Sequence, residues 1–178
     1  MSQEEKFPEE SLTILTNIVL PSETNKFGNM FGGELLSRID RASSIAASKH
    51  SGREVVTISV NRVYFIAPIP LGAIVSIESK VSRVFNTSIE VITDVWIEHI
   101  GSNSKEKVNE AIYMFVCLKK EKEESAAFKI PKLIPKSPLE KERFKEALIR
   151  KDLSLLWANK LDKSKAYELK KYFLERLS

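Results

Sequence analysis

The sequence holds a single cysteine, Cys117, and only two histidines among its 178 residues. One cysteine excludes an internal disulfide framework, and its place in the apolar run 111–118 reads as that of a small buried hydrophobe. The simplest compartment for such a chain is the reducing cytoplasm. His50 and His99 lack a metal-ligand partner at useful spacing, so no metal is expected and Ser-His-Asp or Cys-His chemistry has no support. No basic stretch followed by an apolar one opens the chain, and no apolar run approaches the roughly 20 residues that a membrane helix needs. Neither secretion nor a membrane span is expected. Charge of one sign is scarce too: 28 Lys+Arg against 24 Asp+Glu leave a net +4. No helix-turn-helix, zinc pattern or aromatic-and-basic strand motif accompanies that mild excess, which excludes the usual nucleic-acid binders and suits a phosphate-bearing small ligand. There is no internal repeat.

What is present reads as one domain with an appendage. Residues 11–20 are rich in strand formers and stop at Pro21, after a polar tail of residues 1–10. Residues 21–33 carry Pro21, Gly28, Gly32 and Gly33 without either periodicity and read as a loop long enough to be functional. From Gly32 or Gly33 to about His50, the positions Leu35, Leu36, Ile39, Ala42, Ala46 and Ala47 recur at three and four, the mark of a helix closed by Ser51 and Gly52. Strand-like runs follow at 55–66, 72–84, 88–97 and 108–118, with no helix-length connections, so hairpin or meander pairing into one antiparallel sheet is expected. One strand, one helix and four strands make an α+β layout, a long helix beneath a curved antiparallel sheet. The unfilled edge and face of that sheet call for a homodimer. Beyond the 11–118 domain come a charged, proline-containing connector at 119–137 and a helical extension at 138–178, with helical spacing at 139–151, 153–161 and 166–177. Trp96 and Trp157 read as packing residues.

Chemistry concentrates in residues 24–40. The first N–H groups of a helix lack intrahelical acceptors and carry the positive end of the macrodipole, so the start at Gly32 and Gly33 can polarise a carbonyl and hold an oxyanion. At ~100° per residue, Asp40 shares a face with Gly33, Leu36, Ser37, Ser43, Ser44 and Ala47, away from Glu34, Arg38, Arg41 and Lys49. A carboxylate so placed can activate water or attack directly, and Asn25 adds an amide to hold the water or carbonyl oxygen. Asp40 lies ~10 Å along the axis from Gly33, too far for both to touch one reacting carbon. If both act on one substrate, Asp40 must meet the Gly33 of a second subunit. On spacing alone the alternatives stay open: a tight turn at the glycines, a turn residue at Asn25, and an Asp40 paired with Arg38 or Arg41.

The stretches 25–33, 37–40, 55–60 and 65–72, with 86–91 and Val95-Trp96, resemble the hotdog-fold acyl-CoA thioesterases, and the likeness runs from about Leu12 to Leu118. It implies a long helix wrapped by an antiparallel sheet, used as a dimer and often as a trimer of dimers. It implies hydrolysis of an acyl-CoA to free acid and CoA, with catalytic Asp40 and Asn25 from opposite sides of a dimer interface and Gly32 and Gly33 polarising the thioester carbonyl. CoA is substrate and product, and no metal or redox cofactor is implied. Thr57, Arg83, Thr87 and Ser88 are the implied CoA contacts, Arg83 foremost for phosphate; the alternative for all four is ordinary strand-surface chemistry. The competing class is a non-catalytic acyl-CoA-binding hotdog sensor or scaffold; the ten residues before the first strand leave no room for a DNA-binding effector. A hotdog dehydratase would need a histidine where neither His50 nor His99 falls.

Overall fold

The computed structural model describes residues 4–102, 104–118, 129–158, 160, 162, 164–169 and 171. The chain divides into two compact units, Met1–Ile134 and Pro135–Ser178.

In the first unit the helix α1, Gly32–Ser51, packs on an antiparallel five-stranded sheet. The short strand β1 is Glu5–Lys6; the sheet is built from β2 (Thr13–Ile18), β3 (Val55–Phe65), β4 (Ile74–Val84), β5 (Ser88–His99) and β6 (Ser104–Cys117), and a further short strand, β7, is Lys132–Leu133. The order in the sheet is β2-β4-β5-β6-β3. This is the expected α+β hotdog layout. Its core lies where the α1 stripe Leu35, Ile39, Ala42 and Ala46 meets inward positions such as Val75, Ile77, Val91 and Phe115, all fully buried. The alanines let the helix approach the sheet closely, and each fully buried Leu or Ile contributes about 1.5–3 kcal/mol. Three polar side chains at this interface satisfy one another: the buried hydroxyls of Ser43, Thr93 and Ser79 bond among themselves, at 2.8 Å and 2.6 Å from Thr93. The helix ends at Gly52, whose φ of 66° is left-handed and whose N–H donates to the Ser48 carbonyl.

Several local expectations change. The connection between β3 and β4 is not a hairpin: β3 pairs with β6 and lies at the sheet edge. Pro68 and Pro70, which have no N–H to donate to a ladder, carry the chain across instead. The strand expected at 11–20 is trimmed by 3-10 turns at Pro8–Ser11 and Pro21–Glu23. β6 starts at Ser104 because charged residues extend the ladder, Lys105 meeting Glu78 and Glu98. The described part of the polar tail is ordered: β1 pairs in parallel with β7, out of the expected connector, and Lys6 Nζ donates to the His50 carbonyl at 3.1 Å. His50 is fully buried beside them and its Nε2 donates to the Pro131 carbonyl at 2.9 Å. Burial pushes its pKa below the ordinary value. Residues 119–128 of the expected connector lie outside the described residues.

In the second unit the two helices expected at 139–151 and 153–161 are a single helix, α2, Pro138–Trp157. Ser137 caps it, accepting from Glu140 N–H while the Glu140 carboxylate accepts from Ser137 N–H. No glycine or proline interrupts 139–157, so nothing breaks it. Trp157, expected to pack, is 80% exposed, because it stands in the last turn of α2. Residues 164–169 are helical, and most of the remainder of the third expected helix lies outside the described residues. No helix among the described residues is long and apolar enough to cross a membrane.

Candidate active site

The loop before α1 is built around Asn25. Its Oδ1 accepts from the N–H groups of Phe27, at 2.9 Å, and Asn29, at 3.3 Å, while its own N–H donates to the Asn29 carbonyl at 2.8 Å. Gly28, at φ 74°, supplies the left-handed residue this tight loop requires. The loop is tied to the β3–β4 connection by Met30 N–H to the Ile69 carbonyl, at 2.7 Å, and Leu71 N–H to the Gly28 carbonyl, at 2.9 Å. Between them opens a cavity of about 350 Å³ lined by Asn25, Asn29, Gly32, Leu35, Phe65 and Ala67, among others. A Cβ on Gly32 would lie 3.2 Å from the Phe65 ring, so glycine allows this close approach, and open space surrounds Gly33. Gly32, at the start of α1, thus lines a cavity that Asn25 also lines.

Asp40, half-buried, lies two turns further on. Its Oδ1 accepts a 2.7 Å hydrogen bond from Thr57 Oγ1 on β3. Arg38 is engaged by Glu23 instead, which removes one of the bland alternatives for Asp40. Tyr113 on β6 stands nearby, its hydroxyl donating to the Leu36 carbonyl at 3.4 Å. Burial, and then the charge of Asp40, push the Tyr113 pKa up to about 12, so it stays an O–H donor at neutral pH.

The structure brings the sequence-predicted residues together as two groups, not one. Thr57 lies across from Phe115, and Phe115 across from Ile89, so Asp40, Thr57 and the β4–β5 turn share one end of the sheet. Phe65 lies across from Asn109, which is six positions along β6 from Phe115, or ~20 Å at strand rise. Asn25, Gly32 and Gly33 belong to that second end. Of the other residues, Thr87 is exposed in the β4–β5 turn, its carbonyl accepting from Cys117 N–H; Ser88 opens β5; and the Arg83 guanidinium lies 5.7 Å from the Phe85 ring centroid. Sequence reasoning took Thr57 for a CoA contact and missed its bond to Asp40, and it passed over Tyr113 and Phe65. Inward position on adjacent strands was the only available signal, and it becomes specific only with the register. Among the described residues no cluster of His, Cys, Asp and Glu could hold a metal ion.

The fold and the likeness to known proteins together define the class: a hotdog-fold thioester hydrolase. Residues 27–103 match the Thioesterase superfamily. A Bacillus subtilis protein described as an uncharacterized acyl-CoA thioester hydrolase, YkhA, is 38% identical over 115 residues, covering 65% of this chain and 67% of that one. The chain belongs to the acyl-CoA thioester hydrolase family of that superfamily, and it is an enzyme of that kind. The acyl-CoA hydrolase from Staphylococcus aureus, solved with butyryl-CoA, CoA and CoA disulfide, superposes with a TM-score of 0.78 at 28% identity over 98% of this chain and 99% of that one. Further structures of that enzyme carry alanine in place of one Asn, one Asp and one Thr, spaced 15 and 17 residues apart. Asn25, Asp40 and Thr57 stand at the same spacings. A structure described as an apo-hexameric acyl-CoA thioesterase matches with a TM-score of 0.79 at 28% identity, over 87% of this chain and 97% of that one.

Proposed function

We propose that the protein hydrolyses acyl-CoA to free fatty acid and CoA at a site shared by two protomers. Asp40 and Thr57 come from one, and Asn25 with the α1 start at Gly32 and Gly33 from the other. The observation that carries this reading is that one chain holds the two half-sites apart: Asp40 and Gly33 lie ~10 Å from one another along α1, and Thr57 and Phe65 stand toward opposite ends of β3. β3 is an edge strand with exposed Val56, Ile58 and Val60, a liability unless covered. Antiparallel pairing of β3 with the β3 of a second copy covers it and reverses its direction, setting the Thr57 end of one against the Phe65 end of the other. The spacing shared with the substituted Asn, Asp and Thr of the S. aureus enzyme supports the choice of residues. The hexameric relative supports assembly beyond the dimer, as a trimer of dimers.

The thioester carbonyl accepts from the N–H groups of Gly32 and Gly33, which stabilise the oxyanion as it forms. Asp40 either takes a proton from an attacking water, which the Asn25 amide holds, or attacks the carbonyl carbon and is released by water. In both routes the C–S bond breaks, CoA departs as thiolate and is protonated, and the acid is freed. Arg83, Thr87 and Ser88 serve the CoA nucleotide at the β4–β5 turn, on the same end as Asp40. No metal or redox cofactor takes part, and the buried free thiol of Cys117 suits the cytoplasm.

Thiol release measured over a series of acyl-CoA lengths tests the activity. Asp40→Ala and Asn25→Ala should each abolish most turnover. Co-expressed with different tags, the two inactive variants should regain about a quarter of wild-type activity, since half of the dimers are mixed and each carries one intact site. No recovery on mixing would refute the shared site. Acyl-CoA binding without thiol release by the wild type would select the sensor instead.

A further inference from the structure

Tyr113 carries a hydroxyl that packing does not require. The residue is 3% exposed, and its ring stacks on that of Phe115 with centroids 6.3 Å apart and planes at 19°. A phenylalanine would fill the same space, whereas a buried hydroxyl costs desolvation unless it is well bonded. Its one hydrogen bond among the described residues, to the Leu36 carbonyl, is long at 3.4 Å. That carbonyl is not an arbitrary acceptor: within α1 it is the i−4 partner of the Asp40 N–H. The hydroxyl therefore touches the helical turn that ends on Asp40, from the sheet side. On the adjacent strand, Thr57 reaches the same residue, bonding its carboxylate at 2.7 Å. Thr57 and Phe115 are cross-strand partners, so Thr57, Phe115 and Tyr113 line the same, helix-facing side of the β3–β6 pair.

With Asp40 as the reacting carboxylate, as proposed above, we infer that Tyr113 is a positioning residue for it. Its hydroxyl braces the Leu36–Asp40 turn, and together with Thr57 it confines the carboxylate to one orientation. Because burial and the Asp40 charge keep the phenol protonated, this brace persists across neutral and mildly alkaline pH.

Tyr113→Phe tests the role in the full-length enzyme. Thiol-release kinetics should show kcat lowered about three- to tenfold, the loss of one modest hydrogen bond, with KM within about twofold of wild type. The melting temperature should not fall, since only a poorly bonded hydroxyl is removed. In an Asp40→Asn background, followed in single turnover at high enzyme concentration, Tyr113→Phe should cause no further loss, because nothing remains for it to position. An unchanged kcat in the single variant overturns the inference, as does an equal fold loss in both backgrounds, which marks a purely structural role. Asp40→Asn turning over at the wild-type rate overturns the shared-site reading itself, and this inference with it. A dead Asp40→Asn beside a fully active Tyr113→Phe overturns only the latter.

Discussion

Replacing Thr57 by valine removes one hydrogen-bond donor and little else. Valine is close in shape, stays β-branched and keeps the strand preference of β3, so neither cavity nor register change is expected. What disappears is the 2.7 Å bond to Asp40 Oδ1. Hydrogen bonds to a charged group are worth about 1.5–3 kcal/mol. Thr57 is exposed in the single protomer, so water competes and the contribution is discounted to about 1–1.5 kcal/mol. If Asp40 must point at the thioester carbon in the transition state, that energy converts to about a five- to twelvefold drop in kcat at nearly constant KM. Thr57→Ser, which retains the hydroxyl, should recover most of the rate. Steady-state thiol release with a short and a long acyl-CoA, alongside thermal melts, measures all three proteins. A Thr57→Val enzyme with wild-type kcat would refute the claim that this bond orients the catalytic carboxylate. A loss seen wholly in KM would instead return Thr57 to CoA binding.

Three other outcomes follow from single features. Ile58→Lys puts a charge on the exposed edge of β3, and sedimentation should then show a shift toward monomer together with lost turnover; an active monomer would contradict the shared site. His50 has a folded-state pKa below 6.5, chiefly through burial, so protonation favours the unfolded chain. Its contribution is complete above the unfolded pKa and is lost as pH falls through the folded one; stability should therefore rise with pH across the window below 6.5. Gln at this position keeps the donor to Pro131 without titrating, so melts of His50→Gln between pH 5 and 7.5, points about the ordinary His range, should show a flatter profile than wild type. Finally, Asn109 is fully buried, and among the described residues neither of its side-chain amide atoms finds a partner. Removing such a group relieves about 1–3 kcal/mol, so Asn109→Val should raise the melting temperature by about 2–4 °C per kcal/mol; a lower melting temperature would show that the amide is satisfied in solution.

The helix was legible because its signal is local. Leu35, Ile39, Ala42 and Ala46 recur at helical spacing, and Gly52 ends it, in sequence as in structure. The strands were legible in existence and less so in length, since Ser104 joins β6 only by finding His99 across the ladder. The expected split between 139–151 and 153–161 falls at Asp152, and a polar residue on a helix surface breaks nothing. The tail shows only polarity in the sequence because the partners of its β1, the His50 carbonyl for Lys6 and β7 for the strand, are distant in the chain.

By itself the sequence determined the α+β class, the glycine start of α1, the helix face that Asp40 shares with Gly33, and the ~10 Å of helix rise that keeps Asp40 and Gly33 of one chain from serving one carbon. Those follow from periodicity and rise per residue, which depend on neighbours in the chain alone. Only the tertiary structure decided that β3 lies at the edge, that Thr57 and Tyr113 flank Asp40, and that Phe65 abuts Gly32. Each of these depends on strand order and register, which are set by which distant apolar faces bury one another, and no local pattern encodes that choice.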